Sequence, residues 1–422
     1  MADLPRIAYL TALYPAVSHT FILREVQGLR ELGLEVETIS VRRPGKEHLL
    51  GDAEAHAERT TYYLLDAAKR SLALPAAILS ALGRPTLLLQ TLKLTFKMRA
   101  PGLKTFVYQM FYLAEALILA RYLRRNQIVH LHSHFAQASA TVALLASRQA
   151  DITFSFTLHG PADFYDTGRW HLSDKLSAAS FVACISHYAR SQAMLVSDPS
   201  HWDRFRIVHC GVIPELYAPE GNQERSSETV NLLFVGRLAP VKGVRLLLAA
   251  FANALERHPA MRLTIVGDGE DRIMLEQIAE PLGDAVRFTG YLSQSEVAKE
   301  MANADAFVLP SFAEGLPVVL MEALAAQKTA IATRVAGVAE LVENKKTGFL
   351  IHAGDIDGLQ DAIETFASTP QKWRHLGVAG QARVSKEFDA RTEAARIARL
   401  FVDGPGDKLR PEPLNVMRQC DE

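Results

Sequence analysis

Leu309-Pro310-Ser311-Phe312-Ala313-Glu314-Gly315-Leu316-Pro317-Val318-Val319-Leu320-Met321-Glu322-Ala323-Leu324-Ala325 packs a strand end, a Gly and Pro turn and an apolar helix into one short stretch. The run before it, Ala306–Leu309, has the length and composition of a buried strand. Pro317 suits the first position of a helix, where its missing N–H is not needed. That placement leaves free amides near Gly315 and Leu316, an arrangement that attracts anions. Glu314 lies just outside the helix start and Glu322 lies within it. Glu322 is the only charge between Val318 and Ala326, where a carboxylate without hydrogen-bond donors is expensive to bury. Ligand hydroxyls would supply those donors; an exposed helix face or an internal Arg pair would also explain it. Two acids flanking an apolar helix after a Gly-Pro turn favour a ligand.

The same rhythm runs through the whole chain. Short apolar runs at Ile7–Leu10, Val36–Val41, Ile128–Leu131, Ile152–Leu158, Phe181–Ile185 and Ile207–His209 alternate with amphipathic helical stretches. It restarts at Asn231–Val235 and continues through Arg262–Val266, Val286–Phe288, Ala306–Leu309 and Ala330–Thr333. The fold class is therefore α/β, with two helix-covered, doubly wound parallel sheets. Between them, 214–229 has the Pro, Gly and polar composition of a linker. The expected organisation is a first domain over 1–213, a second over 230–387 and a tail over 404–422. A helix at about 388–403 is expected to pack back on the first domain. A length of 422 residues fits two cores of this size.

In the second half, strand Asn231–Val235 ends in Gly236-Arg237-Leu238-Ala239-Pro240-Val241-Lys242-Gly243. Ligands of open parallel sheets bind at such strand ends. Arg237 by its fork and Lys242 as a point charge can neutralise a diphosphate, although the pair alone would suit a solvated loop. The next strand ends in Gly267-Asp268-Gly269, a turn suited to close backbone contact and, by itself, weak evidence. In the first half, His159-Gly160 follows strand Ile152–Leu158, with Asp163 a weaker candidate nearby. Ser186-His187 follows Phe181–Ile185, where Ser186 could simply cap a helix.

These motifs, in this order, resemble glycosyltransferase family 4 of the GT-B fold. Its pattern of an acid, seven intervening positions and a second acid is matched by Glu314 and Glu322. The resemblance is strong from about Val230 to Glu343. It implies two Rossmann-like domains facing across a cleft, and a nucleoside diphosphate sugar as donor, transferred with its anomeric configuration retained. By resemblance, Glu314 contacts the donor sugar, Glu322 holds the ribose, Arg237 and Lys242 hold the diphosphate, and His159 is the donor-side histidine. The catalytic set is then His159, Glu314, Arg237 and Lys242. Donor binding falls to Gly236, Gly267, Asp268, Gly269, Ser311, Gly315, Leu316 and Glu322. The first loop, with Pro15 and Ser18-His19-Thr20-Phe21, lacks the glycine pair of many members. It resembles instead the branch acting on exopolysaccharide or colanic-acid-type glycans. Ser18, His19, Thr20, Asp163 and Ser186 are the acceptor-side candidates, and the expected acceptor is a glycan or a lipid-linked molecule.

No Asp-x-Asp motif is present, so no metal and no cofactor are expected beyond the nucleotide sugar; Arg237, Lys242 and helix amides would stabilise the departing diphosphate. Cys184, Cys210 and Cys420 form no CxxC pair, which argues against a zinc site or a disulfide framework and fits a reducing cytosol. A net charge of −1 gives no overall pull toward nucleic acid. No charged n-region leads into an apolar stretch at the start, and no run reaches about 18 uninterrupted apolar residues, so neither a secretory signal nor a span is expected. The segment 67–125 carries ten Lys and Arg against the single acid Glu115, interleaved with apolar residues. Such a face suits an anionic membrane surface, or else completes the core with its cations in water. The location expected is cytoplasmic, peripheral at the inner membrane face. Two rivals remain: a nucleotide-sugar epimerase of the same fold, and an inactive partner subunit that kept it.

Overall fold

The structure, a computed structural model, describes residues 4–218 and 229–405. Two parallel sheets organise it. The first runs in the order β3-β2-β1-β4-β5-β6-β7, with β1 Ile7–Leu13, β2 Val36–Arg42, β3 Tyr62–Tyr63, β4 His130–His134, β5 Thr153–Leu158, β6 Val182–Cys184 and β7 Phe205–Ile207. The second runs β10-β9-β8-β11-β12-β13, with β8 Val230–Val235, β9 Met261–Val266, β10 Val286–Gly290, β11 Ala306–Leu309, β12 Thr329–Thr333 and β13 Gly348–Ile351. Helices that position the site or its supports are α1 Thr20–Glu31, α2 Pro85–Lys97, α3 Leu103–Arg125, α4 Ala138–Ala150, α5 Val244–Arg257, α6 Val318–Ala325 and α7 Ala390–Asp403.

Helices cover both faces of each sheet, so a central strand tends to be apolar throughout, as in β11, whose four residues are all buried. β4 breaks that rule. Its sequence is His-Leu-His-Ser-His and all five residues are buried. Alternation sends its three imidazoles to one face. There His130 meets Thr153 and Ser155, and His132 meets Ser155 at 2.7 Å and Thr157 at 2.9 Å. Hydroxyls of β5 thus replace water for the rings. This strand lies at 130–134, displaced from the expected Ile128–Leu131, because hydrogen bonding rather than apolarity fills its buried face. The edge strands β3 and β13 are short, and β7 ends at Ile207 where the sequence pattern starts it.

The chain passes between lobes twice, and the two passages are joined. Val212 N–H donates to the Phe388 carbonyl at 3.0 Å, and Ala390 N–H to the Val212 carbonyl at 2.8 Å. Asp389 then caps α7 through the amides of Arg391 and Thr392. This last helix lies on the first lobe, where Ile397, Ala398 and Leu400 share a core with Tyr9, Val26 and Leu29. Most of the expected linker 214–229 and most of the expected tail 404–422 lie outside the described residues. Among the described residues, one helix, α3, is long and apolar enough to cross a membrane. Its C-terminal half, from Ala116 to Leu123, is largely buried in the core of the first lobe.

Candidate active site

A cavity of about 760 Å³ lies between the lobes, within the size range of pockets that take small molecules. From the second lobe it is lined by the loops after β8, β9, β10 and β11. From the first lobe come the start of α1, Phe135 and His159.

Both flagged carboxylates line this one cavity, at 8% exposure for Glu314 and 7% for Glu322. Glu314 Oε1 accepts from Lys242 Nζ and from Ser311 Oγ, each at 2.6 Å. Glu322 Oε1 accepts from Arg24 Nη2 at 2.7 Å, and the same nitrogen reaches the Tyr217 hydroxyl at 3.2 Å. The internal Arg pair is therefore real, and it crosses the cleft. Burial pushes the Arg24 guanidinium down, but the Glu322 charge and the hydrogen bonds to Glu322 and the Tyr217 hydroxyl outweigh it and leave it above its ordinary value. Its Nε and Nη1 are buried with no hydrogen-bond partner.

Pro317 is the residue before the helix rather than its first residue. Its ψ of 114° is extended, and α6 starts at Val318. The amides of Val318 and Val319 thus head the helix beside Gly315 and Leu316. Arg237 lines the cavity, half-free, with its Nη2 3.0 Å from Glu270. Gly267 has a φ of 131°, a conformation that favours glycine, and a Cβ there would overlap the Gly236 carbonyl. Gly236, Gly267 and Gly269 all line the cavity. Asp268 and Ser311 do not: Asp268 turns to Arg272 at 2.9 Å and accepts from the Gly269 amide, while Ser311 stands behind Glu314. Both instead support the loops that line the cavity.

His159 sits at the floor. Its Nε2 is 2.8 Å from His134 Nδ1 and its Nδ1 is 3.8 Å from Cys210 Sγ, with Phe21 and Phe135 against the ring. Burial pushes its pKa well below the usual value, and His134 and His19 push the same way, so the ring is neutral near pH 7. Both ring nitrogens therefore have protein partners. Its backbone is what meets the other lobe: a Cβ on Gly315 would overlap the His159 carbonyl, and one on Gly160 would come 2.5 Å from Gly315 Cα.

On the acceptor side, His19 and Thr20 line the cavity, and burial pushes His19 down to about 4. The side chain of Ser18 lies outside the described residues. Asp163 and Ser186 face away from the cavity. Asp163 is buried and accepts from the amides of His159 at 2.7 Å and Ala136 at 2.8 Å, holding the His159 turn. Ser186 caps its helix through the Ala189 amide at 3.1 Å. As for a metal, Glu25, His132 and His134 bring their donor atoms within 4.8 Å of one another. Both ring nitrogens of His132 are engaged by hydroxyls and Glu25 accepts from Tyr9 at 2.6 Å, so an ion there would have to displace these bonds.

Residues 220–383 match the family described as glycosyl transferases group 1. That match spans the second lobe and leaves the first lobe outside it. Along 94% of the chain and 99% of the relative, the sequence is 24% identical to the amylovoran biosynthesis glycosyltransferase AmsK of Erwinia amylovora. Over 43% of the chain it is 32% identical to a glycogen synthase of Mycobacterium tuberculosis, and the shared stretch spans 44% of that enzyme's length. The crystal structure of HepE from Anabaena in complex with UDP superposes with a TM-score of 0.71 at 19% identity, covering 94% of this chain and all of that one. The fold is GT-B.

Outside the matched stretch, sequence reasoning missed Arg24. Its signal was weak: it closes the short apolar run Phe21-Ile22-Leu23 and is followed at once by Glu25, so the segment reads as an ordinary amphipathic helix. Tyr291 to Gln294, within the matched stretch, was missed as well; these residues line the cavity directly after β10, and neither composition nor spacing distinguishes them from an ordinary loop.

Proposed function

We propose that the protein transfers a glycosyl group from a nucleoside diphosphate sugar to a hydroxyl of a glycan or lipid-linked glycan, with retention of anomeric configuration, in exopolysaccharide-type biosynthesis at the cytoplasmic face of the membrane. One observation carries this reading. A single cavity between two lobes holds two cations, a helix start and both buried carboxylates, and the carboxylates already bind donor groups. Lys242 and Arg237 are placed to take the diphosphate, with the amides of Val318 and Val319 adding positive potential at the helix start. Once Lys242 moves to phosphate, Glu314 is free to accept from sugar hydroxyls, and a ribose would compete with Arg24 for Glu322. In this reading the departing diphosphate is neutralised by protein cations and amides without a metal. Closure of the lobes excludes water and so limits hydrolysis of the donor. The full-length likeness to AmsK supports a polysaccharide acceptor, and the UDP seen with HepE supports a nucleotide donor.

The test is a thermal-shift panel of UDP-, GDP- and ADP-sugars, since a true ligand stabilises by mass action, followed by transfer assays with the best donor. Lys242→Ala and Glu314→Ala should each lower turnover at least about a hundredfold with unchanged circular dichroism. Turnover close to wild type in both would overturn the assignment. Conversion of the donor with no acceptor present would point to an epimerase instead.

A further inference from the structure

The helices between β3 and β4 leave their apolar side chains unevenly used. On α2, Leu89, Lys93, Phe96 and Lys97 are exposed, at intervals that put them on one face. On α3 the exposed face is Leu103, Lys104, Val107, Tyr108 and Phe111. Leu103 is 80% exposed and Phe111 59%. These are large apolar side chains interleaved with cations, on helices whose opposite faces already complete the core. The one acid of 67–125, Glu115, lies one turn beyond Phe111 on α3, part-buried, and burial lifts its pKa to about 7; on α2, Lys97 is paired with Asp174 at 2.6 Å.

Where the two faces meet there is a built hollow. Residues 99–105, the turn after α2 and the first residues of α3, line with the loop 166–171 an open hollow of about 620 Å³. Arg99, Lys104 and Arg169 line it, and none of the three forms a salt bridge among the described residues. His171 completes the lining, paired with Asp174 at 3.2 Å. The one acid in the wall, Asp166, accepts from the Arg169 amide at 3.2 Å. Three cations without a salt bridge among the described residues, Arg99 and Arg169 lying 5.8 and 5.5 Å from the rings of Phe106 and Trp170, line this hollow beside exposed Leu103 and Tyr108, and together they match an object with anionic phosphate at its surface and hydrocarbon just beneath it.

We infer that this hollow is a headgroup site for anionic phospholipid, and that the α2–α3 tip seats the first lobe on a membrane. Arg99, Lys104 and Arg169 grip the lipid phosphate while Leu103, Val107 and Phe111 enter the boundary between headgroups and acyl chains. The inference goes beyond the transfer reaction and does not depend on it. Each cation near an anionic surface strengthens binding several-fold, so removing all three should weaken it about a hundredfold.

The experiment is sedimentation with vesicles of phosphatidylcholine alone or with 30% phosphatidylglycerol, without donor or acceptor, so that it fails or succeeds apart from the transferase reading. Wild-type protein should bind only the anionic vesicles, and binding should fall steeply between about 0.05 and 0.5 M salt. Arg99→Gln/Lys104→Gln/Arg169→Gln and, separately, Leu103→Ser/Phe111→Ser should lose that binding. All five positions are exposed, and an unchanged unfolding temperature verifies the fold. Wild-type indifference to vesicle charge would overturn the proposal, as would wild-type binding by the triple variant. Excess inorganic phosphate should leave vesicle binding intact; full displacement at millimolar phosphate would show a site for free anion instead and overturn it too.

Discussion

The Arg24–Glu322 pair permits a quantitative test of how the cleft is held. Arg24 is 6% exposed and Glu322 7%, and they meet at 2.7 Å across the two lobes. Arg24→Met keeps volume but strands a buried carboxylate, a change that costs about 3–5 kcal/mol when one member of such a pair is lost. Replacing both, as Arg24→Met/Glu322→Leu, removes the stranded charge together with the pair and should return stability to within about 1 kcal/mol of wild type. The two single changes are thus expected to be strongly non-additive, with a coupling of at least about 2 kcal/mol in a double-mutant cycle followed by urea unfolding. Nucleotide titration separates the second role: the double variant, though stable, should bind the donor nucleotide at least about tenfold more weakly, because no carboxylate is left to hold the ribose. Additive single effects, or an Arg24→Met protein as stable as wild type, would refute the claim that this pair is a desolvated contact. Undiminished nucleotide affinity in the double variant would refute the role given to Glu322.

Gly315→Ala should push the lobes apart at their closest backbone contact, since its Cβ overlaps the His159 carbonyl; transfer is expected to fall about a hundredfold while nucleotide affinity, read by calorimetry, changes less than about threefold. For Glu115 the folded pKa of about 7 lies above the usual 4.5, through burial. Its contribution is therefore intact below pH of about 4.5 and is lost as pH rises through 7. Glu115→Gln should accordingly stabilise by about 2 kcal/mol at pH 8 and by only a few tenths near pH 4.5, and a gain that does not vary with pH would refute burial as the cause.

How far the sequence could be read depended on where the answering group lay. The parallel strands of both cores were legible because covering a sheet on two faces favours apolar runs: β11 is one throughout and β8 from Leu232 on, while β9 keeps Met261, Leu263, Ile265 and Val266 around Arg262 and Thr264. β4 was misplaced because histidines fill its buried face, and only β5 reveals that Ser155 and Thr157 answer them. Asp163 and Ser186 were legible as polar groups at strand ends, but not in direction: their partners are backbone amides, which no residue type announces.

The pairing of Arg24 with Glu322 shows the limit most clearly. Arg24, followed directly by Glu25, gave no sign of a partner, whereas Glu322 was conspicuous as the only charge in an apolar run, so its need for a partner could be inferred from that segment alone. The choice between a ligand and an internal cation could not, since the partner lies 298 positions away in the other lobe. Nor do the two alternatives exclude each other. A carboxylate that lines the cavity and is held by an opposing guanidinium is kept charged and aimed before any ligand arrives, and that guanidinium retains two buried nitrogens without partners. A contact of this kind exists only when the lobes meet, so the residue proposed to hold the donor also reports that the cleft is shut, and donor affinity should rise and fall with closure.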